Sequence, residues 1–230
     1  MAKKRPKING KTVIGFDEIN NGFHLNDKYG LDLPLLVVGY LLPRYPGSHH
    51  ANEKYEKKGG VFTLDGGKNV RSLEEVQRRA LVYLHSHQNF FYSRISEKDI
   101  KRRSMITRRA EAVAAITLRF IEEYRLNERS TFICLDHLGV GSSSEDLNFC
   151  MRELFNLAGI FRNSYDSHVY FQHYADKFNR ACKIADHVGY HLLGLKFRGD
   201  RGKWPFSDRI SDSRSFYGYL IDRLDRLSDD

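Results

Sequence analysis

The strongest restriction on the fold comes from residues 33–43, which read LPLLVVGYLLP and are apolar throughout. A strand that is buried on both faces carries this kind of uninterrupted apolar run. The run is much shorter than the roughly 18 residues that a membrane-spanning helix needs, and no other run in the chain reaches that length. Residues 33–43 therefore predict the central strand of a sheet, and we expect no transmembrane helix.

The rest of the chain alternates between strand-like and helix-like patterns. Further strands are predicted at residues 12–17, 61–64, 130–139 and 167–176, and helices at 72–87, 97–125, 142–159, 179–195 and 215–227. Three early strands suit an antiparallel meander, whereas the later strand–helix units suit parallel strands with right-handed crossovers. We expect an α/β fold with a mixed sheet covered by helices, in a single domain at 12–230 behind a basic tail at 1–11.

Composition indicates a polyanionic partner. The chain of 230 residues carries a formal net charge of +8, which favours nucleic acid over other partners. Three scattered cysteines are too few for a disulfide framework, and the basic N-terminus lacks the apolar stretch of a secretory signal. The expected location is therefore the cytoplasm.

Two of the predicted strands end in carboxylates. The first runs TVIGF into Asp17 and Glu18, and the fourth runs FICL into Asp136. Solvated strand ends would explain these residues equally well when each stretch is taken alone. If the two strands are parallel neighbours, however, Asp17 and Asp136 lie at the same edge of the sheet. A later carboxylate, Asp176 or Asp186, would complete a cluster there.

Such a cluster is typical of a metal site. Carboxylates held close together repel one another and are tolerated mainly where a cation compensates their charge. Two Mg²⁺ or Mn²⁺ ions about 4 Å apart stabilise the attacking and leaving oxygens of a phosphoryl displacement. Because adjacent strand residues face opposite sides, Asp17 and Glu18 share one site only if the strand breaks there.

The motifs in their order resemble those of type 2 ribonuclease H. That family has Asp-Glu after its first strand, matched by Asp17 and Glu18, and an aspartate after its fourth, matched by Asp136. Its helix motif is similar to ISEKDIKRRSMITRRAEAVAAI, and its ADxKY motif resembles YADKF, which contains Asp176. The resemblance implies an RNase H-like fold and a nuclease site that uses divalent metal.

Two features depart from that family. In that family the first motif continues with Ala-Gly-Arg-Gly, which recognises a ribose 2′-hydroxyl, whereas this chain continues with Ile19-Asn20-Asn21-Gly22. In addition, CKIADHVGY at 182–190 is similar to the closing helix of an uncharacterised RNase H-like family that opens with Asp-Glu-Ser-Gly. That second resemblance implies Asp186 as the last ligand, so the choice between Asp176 and Asp186 stays open.

Basic segments supply candidate contacts to phosphate groups. The candidates are Lys68, Arg102, Arg103, Arg108, Arg109, Lys196, Arg198, Arg201 and Lys203. Trp204 and Tyr217 could stack on bases, although packing in the core would explain both aromatic residues as well.

These observations favour a nuclease with two metal ions that hydrolyses RNA, DNA or a hybrid of the two. Asp17, Asp136 and either Asp186 or Asp176 would bind Mg²⁺ or Mn²⁺, with Glu18 assisting. The alternative is a nucleic-acid-binding protein of the same fold whose metal site is incomplete. A hydrolase of a small phosphoester is a third hypothesis, which the positive net charge disfavours.

Overall fold

The computed structural model describes residues 10–20, 32–43, 89–100, 104–136, 143–172, 179–198 and 203–228, together with 23, 26 and 175. Within these residues, five strands form one sheet: β1 (Thr12–Ile19), β2 (Leu35–Leu42), β3 (Phe90–Ile95), β4 (Thr131–Asp136) and β5 (Val169–Gln172). The helices are α1 (Glu97–Ile100), α2 (Met105–Glu123), α3 (Ser143–Leu157), α4 (Tyr165–His168), α5 (Arg180–Arg198) and α6 (Ser213–Ser228).

The sheet is mixed, with the order β3-β2-β1-β4-β5. β1 pairs antiparallel with β2, and β2 pairs antiparallel with β3. On the other side, β1 pairs parallel with β4, and β4 pairs parallel with β5. The predicted combination of an antiparallel meander with parallel additions is confirmed, as is the parallel contact between the first and fourth strands.

The strand β3 has no counterpart among the predicted strands. Its short aromatic run FFYSRI lies between two segments whose patterns are helical, so the sequence does not mark it as a strand. The strand predicted at 61–64 and the helix predicted at 72–87 lie outside the described residues. The helix predicted at 97–125 is interrupted, because Ser104 caps α2 by accepting a hydrogen bond from the backbone N–H of Thr107.

One face of the sheet packs on α2, α3 and α6. Alternate residues of β1, Ile14 and Phe16, lie in this core, and β2 adds Val37. The helices contribute the buried apolar stripe of α2 and residues such as Phe155 and Phe216. Burying these side chains provides the main favourable free energy for this layer.

The opposite face packs on α5. Ile19 and Val38 of the sheet lie there with Ala185 and Val188 of the helix. Gly15 allows the close approach, because a Cβ atom on it would overlap the backbone of Ala181 and Cys182. Gly189 plays the same part from the helix, where a Cβ atom would overlap the side chain of Ile19. α5 is therefore fixed against β1 by contacts that leave no room for further side-chain atoms.

The segment before α6 covers the outer edge of β3. Ile210 forms a parallel bridge with Tyr92, and the backbone N–H of Ser211 donates a hydrogen bond of 2.8 Å to the carbonyl oxygen of Tyr92. Arg119 of α2 holds this segment by donating to the carbonyl oxygen of Ile210 at 2.7 Å. None of the helices in the described part of the chain is both long and apolar enough to cross a membrane.

Candidate active site

Asp17 and Asp136 are neighbours in the register of β1 and β4. Phe16 pairs with Leu135 in the parallel ladder, and the two aspartates are the next residue on each strand. Adjacent strands lie about 4.8 Å apart, so the two carboxylates leave the sheet close to each other. Asp17 and Asp136 therefore lie beside each other at the same end of the sheet, as the sequence predicts.

Asp186 approaches Asp17 from α5. The helix begins at Arg180 because the Oδ1 atom of Asn179 accepts hydrogen bonds from the backbone N–H groups of Ala181 and Cys182, at 2.9 and 3.3 Å. Asp186 consequently lies in the second turn, close enough for its negative charge to act on Asp17. Asp176 lies outside the described residues, so its part in the site stays a prediction.

The carboxyl group of Asp17 is held where ionisation is costly. Burial raises its pKa well above the ordinary value, and the negative charge of Asp186 raises it further. The backbone N–H of Glu18 donates to Oδ1 at 2.7 Å and lowers the pKa, but Asp136 and Glu18 add to the repulsion. Four carboxyl groups thus interact at the ends of β1 and β4 and in the second turn of α5.

Glu18 faces the other side of the sheet. β1 continues through Asp17 and Glu18 to Ile19, so the strand does not break between the two acids. The carboxylate of Glu18 lies 2.8 Å from the guanidinium of Arg109 in α2. Burial raises the pKa of Glu18, Arg109 lowers it and the charge of Asp136 raises it. Glu18 is therefore bound to α2 rather than turned towards Asp186.

Backbone contacts hold the loops that surround the carboxylates. The backbone N–H of Ala175 donates to Oδ1 of Asp136 at 3.0 Å, which ties the segment after β5 to the end of β4. Asn20, directly after β1, has φ of 65° and is almost fully buried. Its Nδ2 donates to the carbonyl oxygen of Leu33 at 3.1 Å. Asn20 thus connects the end of β1 to the start of β2, at the position where the resembled family has a glycine.

The donor atoms have the chemistry that Mg²⁺ and Mn²⁺ prefer, since all are carboxylate oxygens. Across the described segments, however, no three side chains of His, Cys, Asp or Glu are arranged so that they could hold a metal ion together. The charges of Asp186 and Asp136 raise the pKa of Asp17, and the charge of Asp136 raises that of Glu18. A divalent cation would relieve that repulsion, so the residues present suit such an ion by charge and by donor type.

The predicted phosphate contacts have diverse environments. Arg109 is buried and paired with Glu18, and Arg108 lies 3.0 Å from the buried Glu111, so either one would have to leave an ion pair to reach a phosphate. Lys196 is half-buried and Lys203 is exposed. The others, Lys68, Arg102, Arg103, Arg201 and the side chain of Arg198, lie outside the described part of the structure. All of these contacts stay predictions.

Two functional features were missed from the sequence. The ion pair between Arg109 and Glu18 was not expected, because the basic segment at 101–109 suggested an exposed surface. Asn179 was not recognised as the cap of α5, although an asparagine just before a helical pattern is a readable signal.

Tyr217 is one of the two aromatic candidates for base stacking. Its hydroxyl donates a hydrogen bond to Glu111 at 2.9 Å.

Comparison with known proteins gives a limited result. No protein-family model matches the chain, and no curated protein matches it with significance. The chain is similar to a chain in the PCNA:RNase HII complex from Archaeoglobus fulgidus, at 16% identity and TM-score 0.45, over 94% of this chain and 89% of that one. It is also similar to ribonuclease H2 from Pyrococcus horikoshii OT3, at 16% identity and TM-score 0.43, over 86% and 82%.

Proposed function

We propose that this protein is a divalent-metal-dependent nuclease that hydrolyses phosphodiester bonds. One observation carries the proposal: Asp17 and Asp136 directly follow the paired Phe16 and Leu135 on two parallel strands, and burial together with the nearby charge of Asp186 disfavours the ionisation of Asp17. A group of like charges at the ends of parallel strands weakens the fold unless it serves a ligand. A hard divalent cation is the ligand that this donor set suits.

The basic character of the chain supports a nucleic-acid substrate. The formal net charge of +8 attracts polyphosphates, whereas a small phosphoester would not require it. Whether the strand is RNA, DNA or a hybrid depends on contacts to the sugar. Asn20, which replaces part of the ribose-recognition element of the resembled family, is buried and bonded to Leu33. We therefore propose no selectivity for ribonucleotides through that element.

Each proposed ligand is held by a different part of the fold. Asp17, Asp136 and Asp186 would bind Mg²⁺ or Mn²⁺, and such ions, when bound, supply an activated water and stabilise the leaving oxygen. β1 and the Glu18 N–H fix Asp17, while the Ala175 N–H fixes Asp136. The packing of α5 against Gly15 fixes Asp186 relative to both. Rigid elements of this kind hold a reactive geometry better than loops do.

A cleavage assay tests the proposal. Labelled RNA, DNA and hybrid strands are incubated with the protein in Mg²⁺ or Mn²⁺, alongside Asp17→Asn and the control Asp166→Asn, whose side chain is exposed on α4. We expect cleavage that depends on metal and falls about a thousandfold in Asp17→Asn, because a metal ion contributes several kcal/mol to transition-state stabilisation. Asp166→Asn should cleave normally. Undiminished cleavage by Asp17→Asn would rule out the proposed site.

A second candidate is a nucleic-acid-binding protein with an inactive site. It is favoured by the lack, within the described residues, of a closed group of three metal-binding side chains, and by the pairing of Glu18 with Arg109. This candidate predicts salt-sensitive binding of nucleic acid, no cleavage, and no rise in melting temperature when Mn²⁺ is added. The nuclease proposal predicts that Mn²⁺ stabilises the folded protein, because a ligand that binds only the native state raises its stability.

A further inference from the structure

A charged cavity of about 460 Å³ lies beyond the carboxyl end of β3. Among the described residues, four that are cationic line it: Arg94, Arg108, Lys196 and Arg214. The carboxylates that line it, within the described residues, are Asp32, Asp99 and Asp212. Asp99 is used locally, since its Oδ2 accepts hydrogen bonds from the backbone N–H and the hydroxyl of Ser96 at 3.0 and 2.6 Å. Arg108 is likewise used, in its ion pair with Glu111, so the described lining still has Arg94, Lys196 and Arg214 against Asp32 and Asp212.

An aromatic ring in this cavity is flanked by two of the cations. The guanidinium carbon of Arg94 lies 5.5 Å from the centroid of the Trp204 ring, and Nζ of Lys196 lies 5.6 Å from it. Both distances are within the range of cation–π attraction. Lys196 also donates a hydrogen bond to the carbonyl oxygen of Lys203 at 3.2 Å. An aromatic ring and fixed cations together form the kind of surface that binds a nucleotide.

Arg94 carries a donor that the described part of the protein does not satisfy. Its Nε atom is buried and has no hydrogen-bond partner among the described residues. Buried N–H groups nearly always have an acceptor, so an unmatched donor in a cationic cavity calls for an explanation. An anionic oxygen is the acceptor that a guanidinium binds best.

The cavity lies at the same end of the sheet as Asp17, and its residue Arg94 lies on the same face as Asp17. Leu36 of β2 pairs with Ile19 on one side and with Arg94 on the other. The register therefore places three residues on the face of the sheet that packs against α5: Asp17, Ile19 and Arg94. Two strand spacings and two residues along the strands separate Arg94 from Asp17, which corresponds to about 12 Å between backbone positions.

We propose that this cavity binds one nucleotide of the substrate strand, with its phosphate on Arg94 and Lys196 and its base or sugar against Trp204. The proposal rests on the proposed function, and it adds a subsite away from the reacting phosphate. A separation of about 12 Å corresponds to three or four nucleotides at about 3.4 Å per stacked nucleotide. The cavity volume is within the roughly 300–1,000 Å³ of typical ligand sites. The subsite fixes how the strand runs across the edge of the sheet.

Trp204 makes the subsite directly measurable, because it is the only tryptophan in the chain. The full chain is titrated in a chelating buffer, without divalent metal, with adenosine 5′-monophosphate, adenosine, inorganic phosphate and a short single-stranded oligonucleotide. We expect the monophosphate and the oligonucleotide to change the emission of Trp204 with saturation. Inorganic phosphate should compete with the monophosphate, and adenosine should bind more weakly by about tenfold or more.

Charge-removing variants show whether the cavity is responsible. Arg94→Gln and Lys196→Gln should each weaken oligonucleotide binding about tenfold and lower the slope of its salt dependence by about one. Arg129→Gln is the matched control, because Arg129 is exposed and precedes β4, at the opposite edge of the sheet. It should bind with unchanged affinity. Circular dichroism checks that each variant is folded, and Lys196→Gln keeps the test valid if Arg94→Gln does not fold.

Two results would overturn the subsite. One is an emission spectrum that neither the monophosphate nor the oligonucleotide changes. The other is equal weakening in Arg94→Gln, Lys196→Gln and the Arg129→Gln control. Because the titration uses no metal and no cleavage, it separates the two proposals. Cleavage without a Trp204 response removes only the subsite, whereas a Trp204 response without cleavage supports the subsite and removes the nuclease.

Discussion

The guanidinium of Arg109 lies 2.8 Å from the carboxylate of Glu18, and the two side chains are only 7% and 14% exposed. This ion pair joins α2 to β1 one residue after Asp17. Burial alone would raise the pKa of Glu18, and Arg109 is the cation that lowers it. The pair therefore offsets part of the cost of burying a charged Glu18 beside the carboxylate cluster, on the face opposite Asp186.

Removing Arg109 should destabilise the protein strongly. Arg109→Gln leaves the buried Glu18 without its cation, and a broken buried pair costs about 3–5 kcal/mol. We expect the double variant Arg109→Gln/Glu18→Gln to recover most of that loss, because neither partner is then charged. Urea denaturation measures both effects.

An exposed pair on the same protein provides the control for that experiment. Arg152 and Asp166 are 39% and 52% exposed, so Arg152→Gln should cost no more than about 1 kcal/mol. Equal losses in Arg109→Gln and Arg152→Gln would show that the pair between Arg109 and Glu18 is not a buried structural contact.

Asp17 should make the metal-free protein less stable as pH rises. Its pKa in the folded state is raised above the ordinary value of 3.8, mainly by burial and by Asp186. Below 3.8 the carboxyl is neutral in both states. As pH rises through the folded-state pKa, the folded protein must take up a disfavoured charge, at about 1.4 kcal/mol for each unit by which the two pKa values differ.

The measurement compares wild type with Asp17→Asn across a pH series without metal. The free energy of unfolding of the wild type should fall relative to that of the variant as pH increases, and Mn²⁺ should reduce the difference. A difference that does not change with pH would mean that Asp17 titrates normally.

Asp186 rather than Asp176 should complete the site. The charge of Asp186 acts on Asp17, which a residue far along α5 could not do. We expect Asp186→Asn to lose Mn²⁺-induced stabilisation and cleavage, and Asp176→Asn to keep both nearly unchanged. Thermal melting with and without Mn²⁺ and the cleavage assay test the two variants in parallel. The reverse result would assign the last ligand to Asp176.

The approach of α5 to β1 should not tolerate a methyl group. In Gly15→Ala the new Cβ atom would overlap the backbone of Ala181 and Cys182, so the helix must shift. Overpacking of this kind costs about 1–3 kcal/mol, and the shift would also move Asp186. We expect a lower melting temperature together with weaker Mn²⁺ binding. Gly218→Ala is the control, because a Cβ atom there meets nothing within 4 Å.

The strands that the sequence predicts best are those formed by uninterrupted apolar runs. β1, β2 and β4 are largely buried apolar runs, and the crossover rule favours a parallel arrangement for the strands late in the chain. β3 could not be predicted from the sequence. The run FFYSRI is only six residues long, and the residues that follow it have a helical pattern. Aromatic enrichment alone does not separate a six-residue strand from the end of a helix.

The candidate site could be predicted only as far as the strand ends. Which late aspartate meets Asp17 depends on where α5 starts, and both Asp176 and Asn179 are residues that cap helices well. The side chain of Asn179 takes that role with two backbone N–H groups. The partner of Arg109 could not be predicted either, since its distance to Glu18 depends on the packing of α2 against β1.

The covered edge of β3 has a consequence for how this protein behaves at high concentration. An outer strand with unpaired N–H and C=O groups is a template on which a second molecule can add its own strand, the first step towards fibrils. Here Ser211 already takes up the carbonyl oxygen of Tyr92, and Arg119 clamps the covering segment through Ile210. The same few contacts that finish the sheet therefore also protect this side of the molecule from self-association.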